Sequence, residues 1–120
     1  MGLRILTRKS GNVTILDVLG RIVIGVNSDA FRAELRKLAG STPCDVLINL
    51  AEVTQVDSSG ISALVQSLVT LKRGGGSLKI LNPTKYVSEV LEITGLTQSL
   101  PAYTNEADAL ASFHGSAAHA

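Results

Sequence analysis

The sequence predicts an α/β sandwich: a mixed sheet of four to five strands with helices mainly on one face. Three observations lead there. An alternating apolar/polar pattern on both sides of Ser10-Gly11-Asn12 reads as an antiparallel hairpin. The continuous apolar run Val46-Leu47-Ile48-Asn49-Leu50 is too short for a helix and reads as a strand buried on both faces. That run, and later Leu78, Ile80 and Leu81, are each followed by apolar residues at three- and four-residue steps, so strands alternate with helices. A hairpin plus two strand–helix units with parallel crossovers makes the sheet mixed.

In order, Leu3, Ile5 and Thr7 alternate with Arg4, Leu6 and Arg8, and Val13 to Leu19 alternates again. The intervening turn reads as longer than the two-residue optimum. Gly20 interrupts the second strand and predicts a bulge or bend before Arg21 to Ile24 resumes. Asn27, Ser28 and Asp29 can start a helix with apolar face Phe31, Leu35 and Leu38, wet side Glu34, Arg36 and Lys37, and a stop at Gly40-Ser41-Thr42-Pro43.

After the buried strand comes Gln55-Val56-Asp57-Ser58-Ser59-Gly60, where a strand's end meets a helix's start. Asp57, Ser58 or Ser59 can cap the open N–H groups. The helix face is Ile61, Leu64, Val65, Leu68 and Val69; Lys72 and Arg73 close it, where cations suit the dipole, and Gly74-Gly75-Gly76 breaks it. That glycine run leads to a strand with no Gly-Lys-Ser/Thr, so it is a connection and not a phosphate loop. Asn82-Pro83-Thr84 then turns the chain. Val87, Val90, Leu91 and Thr94 make a short helix capped by Gly95, with Leu96 folding back. Leu100 to Tyr103 reads as an edge strand, since Pro101 bars a central place. Asn105 caps a last helix through Ala107, Leu110 and Phe113, and Gly115 to Ala120 reads as a frayed tail.

The chain has 120 residues, 45% apolar and 18% charged, which fits one folded domain. A net charge of +1 without a basic cluster argues against nucleic acid and anionic membranes as partners. Two Phe, two Tyr and no Trp argue against base stacking. Cys44 has no second Cys to pair with and reads as a filler beside Pro43 in a reducing compartment. The first residues carry no apolar signal core, position 6 is Leu where a lipidation site after Gly2 wants Ser or Thr, and no run approaches a membrane span. These features predict a cytoplasmic protein with no membrane insertion.

Chemistry is sparse. A nucleophilic serine needs a base, yet His114 and His119 lie in or beside the tail, and no Gly-x-Ser-x-Gly elbow surrounds Ser58. Glu89 and Glu92 are three apart on a solvated helix face, and no Cys/His/Asp cluster has metal-ligand spacing. The reading is therefore no enzyme, no metal and no cofactor. What the central segment offers is a hydroxyl at a helix mouth, followed by a small, weakly charged outer side (Ser62, Ala63, Gln66, Ser67, Thr70) that a partner can cover at little desolvation cost.

The run from Leu50 through Val56-Asp57-Ser58-Ser59-Gly60-Ile61 resembles the signature of STAS domains, in particular bacterial anti-sigma factor antagonists. Leu81-Asn82-Pro83, with Val87, Val90-Leu91 and Thr94-Gly95-Leu96, is similar to the family's second segment. The resemblance spans about Leu3 to Phe113, making residues 1–114 a STAS-like domain and 115–120 a disordered tail. It implies that Ser58 is phosphorylated and that Asp57, Ser59 and Gly60 form the switch loop and helix cap; the residue types beside that loop make Thr54, Ser62, Ala63, Gln66 and Ser67 the expected partner surface. It further implies that the unmodified protein binds an anti-sigma factor that is also a serine kinase, that phosphorylation breaks the complex, and that a serine phosphatase restores it. One departure stands out. Switch-type relatives carry an acid soon after the glycine ending the second strand, whereas here Gly20-Arg21-Ile22-Val23-Ile24-Gly25 has none. The alternatives are an unphosphorylated accessory subunit of a transport or larger signalling complex, and direct nucleotide binding. Homo-oligomer formation is left open.

Overall fold

In the computed structural model, residues 3–22, 26–39 and 45–118 are described. The readings for Gly2, for residues 23–25, for 40–44 with Pro43 and Cys44, and for His119 lie outside them, as do the side chains of Asn27, Ser28, Leu38 and His114. Strands β1 (Arg4–Ser10) and β2 (Val13–Ile22) lead to helix α1 (Val26–Ala39), then β3 (Asp45–Val56), α2 (Ser58–Arg73), β4 (Ser77–Leu81), α3 (Lys85–Ile93), β5 (Ala102–Tyr103) and α4 (Glu106–Ala118).

The strands lie side by side in chain order, β1-β2-β3-β4-β5. Only the β1–β2 pair is antiparallel, because a hairpin joins it. The other three pairs are parallel, each bridged by a helix. Crossovers of one hand, taken steadily in one direction, put their helices on one face. Accordingly Phe31 and Leu35 of α1, Leu64 and Leu68 of α2, and Val87 and Leu91 of α3 share one core with Leu16, Ile48 and Leu50 of the sheet. The opposite face carries α4, whose Ala109 and Phe113 close over Val13, Ile15, Leu47 and Leu81. Val46, Leu47 and Ile48 are all fully buried, which is why β3 reads as an unbroken apolar run.

Polar clamps hold α4. The Arg8 guanidinium on β1 grips Asp17 of β2 (Nε–Oδ2 2.7 Å) and Glu106 of α4 (Nη2–Oε1 2.7 Å). Asn49 Nδ2 donates to Asp17 Oδ1 at 2.8 Å. The Arg8 hydrogen bonds hold both carboxyls below their ordinary range, and the two acids raise Arg8 in return, Glu106 most. On β4, Lys79 Nζ donates to Ser112 Oγ at 2.8 Å and lies 4.7 Å from the Phe113 ring centre.

Four details differ from the sequence reading. The hairpin loop is the two-residue Gly11–Asn12, since Ser10 pairs with Val13, and Gly11 takes φ 60. The β3 strand continues past Leu50 to Val56. The β5 strand begins only at Ala102, leaving Leu100 as a buried core residue. Helix α4 runs to Ala118, through part of the stretch read as a frayed tail, in keeping with the alanine content there. The register between β2 and β3 shifts twice, between Asp17 and Leu19 and between Gly20 and Arg21, where Gly20 takes φ 115. Both extra residues fall on β3 (Asp17↔Asn49 to Leu19↔Glu52; Gly20↔Val53 to Arg21↔Gln55), so its bulges match a longer strand to a shorter neighbour.

Candidate functional site

The site sits where β3 ends. Pairing with β4 stops at Asn49↔Leu81, so among the described residues the far half of β3 has no strand on that side. Two hydroxyls from the start of α3 approach its carbonyls instead: Thr84 Oγ1 lies 3.4 Å from Val53 O, and Tyr86 donates to Val56 O at 3.3 Å. Thr84 also caps α3, accepting from Val87 N. On the other side Asp57 N donates to Ile22 O at 3.3 Å. The strand's end is thus pinned from both flanks before the helix begins.

Of the three cap candidates, Asp57 takes the position. Its backbone is extended (φ −109°, ψ −171°), and Oδ1 accepts from Ser59 N at 2.9 Å and Gly60 N at 3.1 Å. The first helical bond follows, Ile61 N to Asp57 O at 3.0 Å. The carboxylate therefore satisfies two of the helix's open donors and complements its dipole. Ser58 is left as the first helical residue, exposed, and among the described residues its hydroxyl has no hydrogen-bond partner.

Gly60 is buried for a reason the cap does not supply. A Cβ there would run into the Ile22 carbonyl and come within 2.9 Å of Val56 Cγ1. Only glycine lets α2 enter this close to the end of β2.

Beyond Ser58 a groove of about 510 Å³ opens between α2 and α3, lined by Ile61, Ser62 and Val65 on one side and Tyr86, Val90 and Thr94 on the other. Val56, Asp57 and Ser58 form its end. Val69 (44% exposed) and Ile93 (84% exposed) add apolar surface on these two helices.

The predicted partner surface is only partly exposed. Thr54, Ser62 and Gln66 are exposed, Thr54 with its Oγ1 3.3 Å from Gly20 O. Ala63 and Ser67 are not: they are buried, with Ser67 Oγ bonded to Ala63 O at 2.7 Å. Helix α1 packs alongside α2 and covers that flank, so the wet side of α2 is narrower than its residue types suggest. Ser62 borders the α3 groove, whereas Gln66 borders a separate cleft toward α1.

The sequence reading missed Tyr86, which both supports Val56 and lines the groove, and it counted Val90 as plain helix face. An aromatic residue in the first turn of a short helix, in a chain with only two Tyr, was the available signal. Chemically the site offers an accessible hydroxyl, a positive helix end and an apolar trough. Among the described residues no group of three or more His, Cys, Asp or Glu could hold a metal ion, and no helix is long and apolar enough to cross a membrane.

Known proteins resemble this chain in sequence and in fold. The chain is 28% identical over 96 residues to the anti-sigma-B factor antagonist of Bacillus subtilis, spanning 80% of this chain and 86% of that one. It is 25% identical over 84 residues to the anti-sigma F factor antagonist of Paenibacillus polymyxa, spanning 69% and 72%. In fold it is similar to a crystal structure of an anti-sigma factor antagonist from Mycobacterium paratuberculosis, with a TM-score of 0.82 at 23% identity over 94% of this chain and 95% of that one. The family model described as the STAS domain matches residues 4–109, from the first strand into the last helix, and on that extent the chain belongs to the STAS domain family.

Proposed function

We propose that the protein is a non-enzymatic binding module of the anti-sigma factor antagonist type, switched by phosphorylation of Ser58. The observation that carries the reading is the division of labour at the turn: Asp57 caps α2, which leaves the neighbouring Ser58 hydroxyl exposed at the end of the α2–α3 groove. In the unmodified state the groove receives an anti-sigma factor that is also a serine kinase. That kinase transfers the γ-phosphoryl group of ATP to Ser58 Oγ, the hydroxyl proton leaves, and ADP is released. A serine phosphatase hydrolyses the ester and resets the site.

The helix end makes the modified state tolerable within the domain, since phosphate gains from open N–H groups and the dipole. A bound partner fares differently. The added charge of about −1.5 to −2 stands beside Asp57 and next to apolar surface, and like-charge contact there costs several kcal/mol. Each ~1.4 kcal/mol is a tenfold loss of affinity, so release needs no large change of fold.

The test is a pull-down from the native host with wild-type, Ser58→Ala and Ser58→Asp baits, followed by phosphorylation of each with the captured kinase. The alanine variant should keep its partner and take no phosphate, and the aspartate variant should bind at least about tenfold more weakly. Equal labelling of the alanine variant and the wild type would sink the assignment.

A further inference from the structure

A second, smaller cleft lies on the opposite flank of α2, between it and α1. Its volume is about 60 Å³, and its lining is Arg32, Leu35, Arg36, Gln66, Ser67 and Thr70. A single water needs ~10–15 Å³ of such space, so there is room for one small polyatomic ion and none for a nucleotide base.

The polar groups around it are unbalanced. Two arginines, one turn apart on α1, are among its lining residues, and no carboxylate is. Arg32 is poorly matched: Nη2 reaches Ser59 O at 3.4 Å, and Nη1 lies 3.8 Å from the exposed Asp29 carboxylate. Its Nε is buried and without a hydrogen-bond partner among the described residues. A buried charged donor left unmatched is uncommon, because desolvation is then uncompensated. On the other wall, Ser67 and Thr70 donate their hydroxyl protons to Ala63 O and Gln66 O, at 2.7 and 2.9 Å. Their oxygens can accept but have no proton to offer. The donors left for a ligand are the two arginines and the Gln66 amide, a set that suits an acceptor-rich, negatively charged guest.

We infer that the α1–α2 cleft binds a small oxyanion of the phosphate class, held in the forks of Arg32 and Arg36 and steadied by Gln66. Planar guanidiniums match the oxygen spacing of phosphate and sulfate in two-point contacts. A turn of the Arg32 guanidinium into the cleft gives Nε a partner and draws Nη2 off Ser59 O. The site shares no lining residue with the α2–α3 groove.

The experiment is a titration of the full chain with inorganic phosphate, sulfate and acetate at constant ionic strength, with chloride as reference. It is followed by NMR of the arginine Nε–H resonances and the backbone amides. Phosphate and sulfate should move Arg32 Nε–H and the amides of Gln66 and Thr70 along one saturating curve, with acetate weaker. Arg36→Gln, an exposed change that leaves the core intact, should weaken saturation at least tenfold. Arg32→Gln should abolish it, and Lys9→Gln, on β1, should leave it unchanged. The proposal is overturned if phosphate moves these resonances no more than chloride does, or if the Arg36→Gln curve overlays the wild type.

Discussion

Gly60, in the first turn of α2, lies directly against the carbonyl oxygen of Ile22 at the end of β2. Its backbone is helical, so alanine would ordinarily help by up to ~1 kcal/mol at this position. The Ile22 carbonyl and Val56 Cγ1 reverse that sign, since neither can yield without moving a strand end. Gly60→Ala should lower stability by about 1–3 kcal/mol in urea unfolding. An unchanged or raised midpoint would mean that α2 is free to shift outward.

Asp57 is a cap before it is a charge. Asp57→Ala removes the acceptor of both Ser59 N and Gly60 N and should cost about 0.5–2 kcal/mol. Asp57→Asn keeps an acceptor and should lose only the dipole part, about 0.3–1 kcal/mol. Thermal melts of the two variants should therefore separate, alanine below asparagine. Equal melts would show that the charge alone matters.

The groove makes its own prediction. Val90 is half-buried and lines the trough opposite α2. Val90→Asp should weaken partner capture at least tenfold, about 1.4 kcal/mol, in calorimetry with the captured partner, while the melting temperature stays close to wild type. Loss of capture with Ser58 still phosphorylated would separate recognition from chemistry. Undiminished affinity would place the partner elsewhere.

Acid should loosen the α4 clamp. Arg8 holds the Asp17 and Glu106 carboxyls below their ordinary range, so their stabilisation is complete above the unfolded carboxylate value of about 4 and is lost as pH falls through the lower folded values. Wild-type stability should begin to drop as pH falls past about 4 and go on dropping through the lower folded values, and Arg8→Gln should flatten that slope. At neutral pH the substitution should cost no more than about 1 kcal/mol, because Arg8 is 44% exposed and screened. Urea midpoints across pH measure both. A wild-type slope retained in the variant would remove the clamp from the account.

Much of this was legible in the chain, and the exceptions have physical causes. Periodicity located every helix, and the Asp57-Ser58-Ser59-Gly60 turn announced a strand-to-helix handover. The far half of β3 was missed because Glu52, Thr54 and Gln55 look like a loop; β2 still pairs there, but β4 does not pair beyond Asn49, which leaves that edge to polar residues. Ala63 and Ser67 were placed outside because a helical wheel shows which residues share a side, not which neighbour covers it. Tyr86 escaped notice because its role is to a carbonyl thirty residues earlier, and one sequence carries no sign of that bond.

The two bulges in β3 divide the sheet into zones with different freedom. Between Asp45 and Asn49 every residue is locked to partners on both sides, whereas beyond the first register shift the strand answers to helix-borne hydroxyls and a single neighbour. Substitutions near Ser58 can thus reshape the surface there without disturbing the foundation beneath. A lineage could exchange interlocutors through drift at one rim of the molecule and keep the same scaffold throughout.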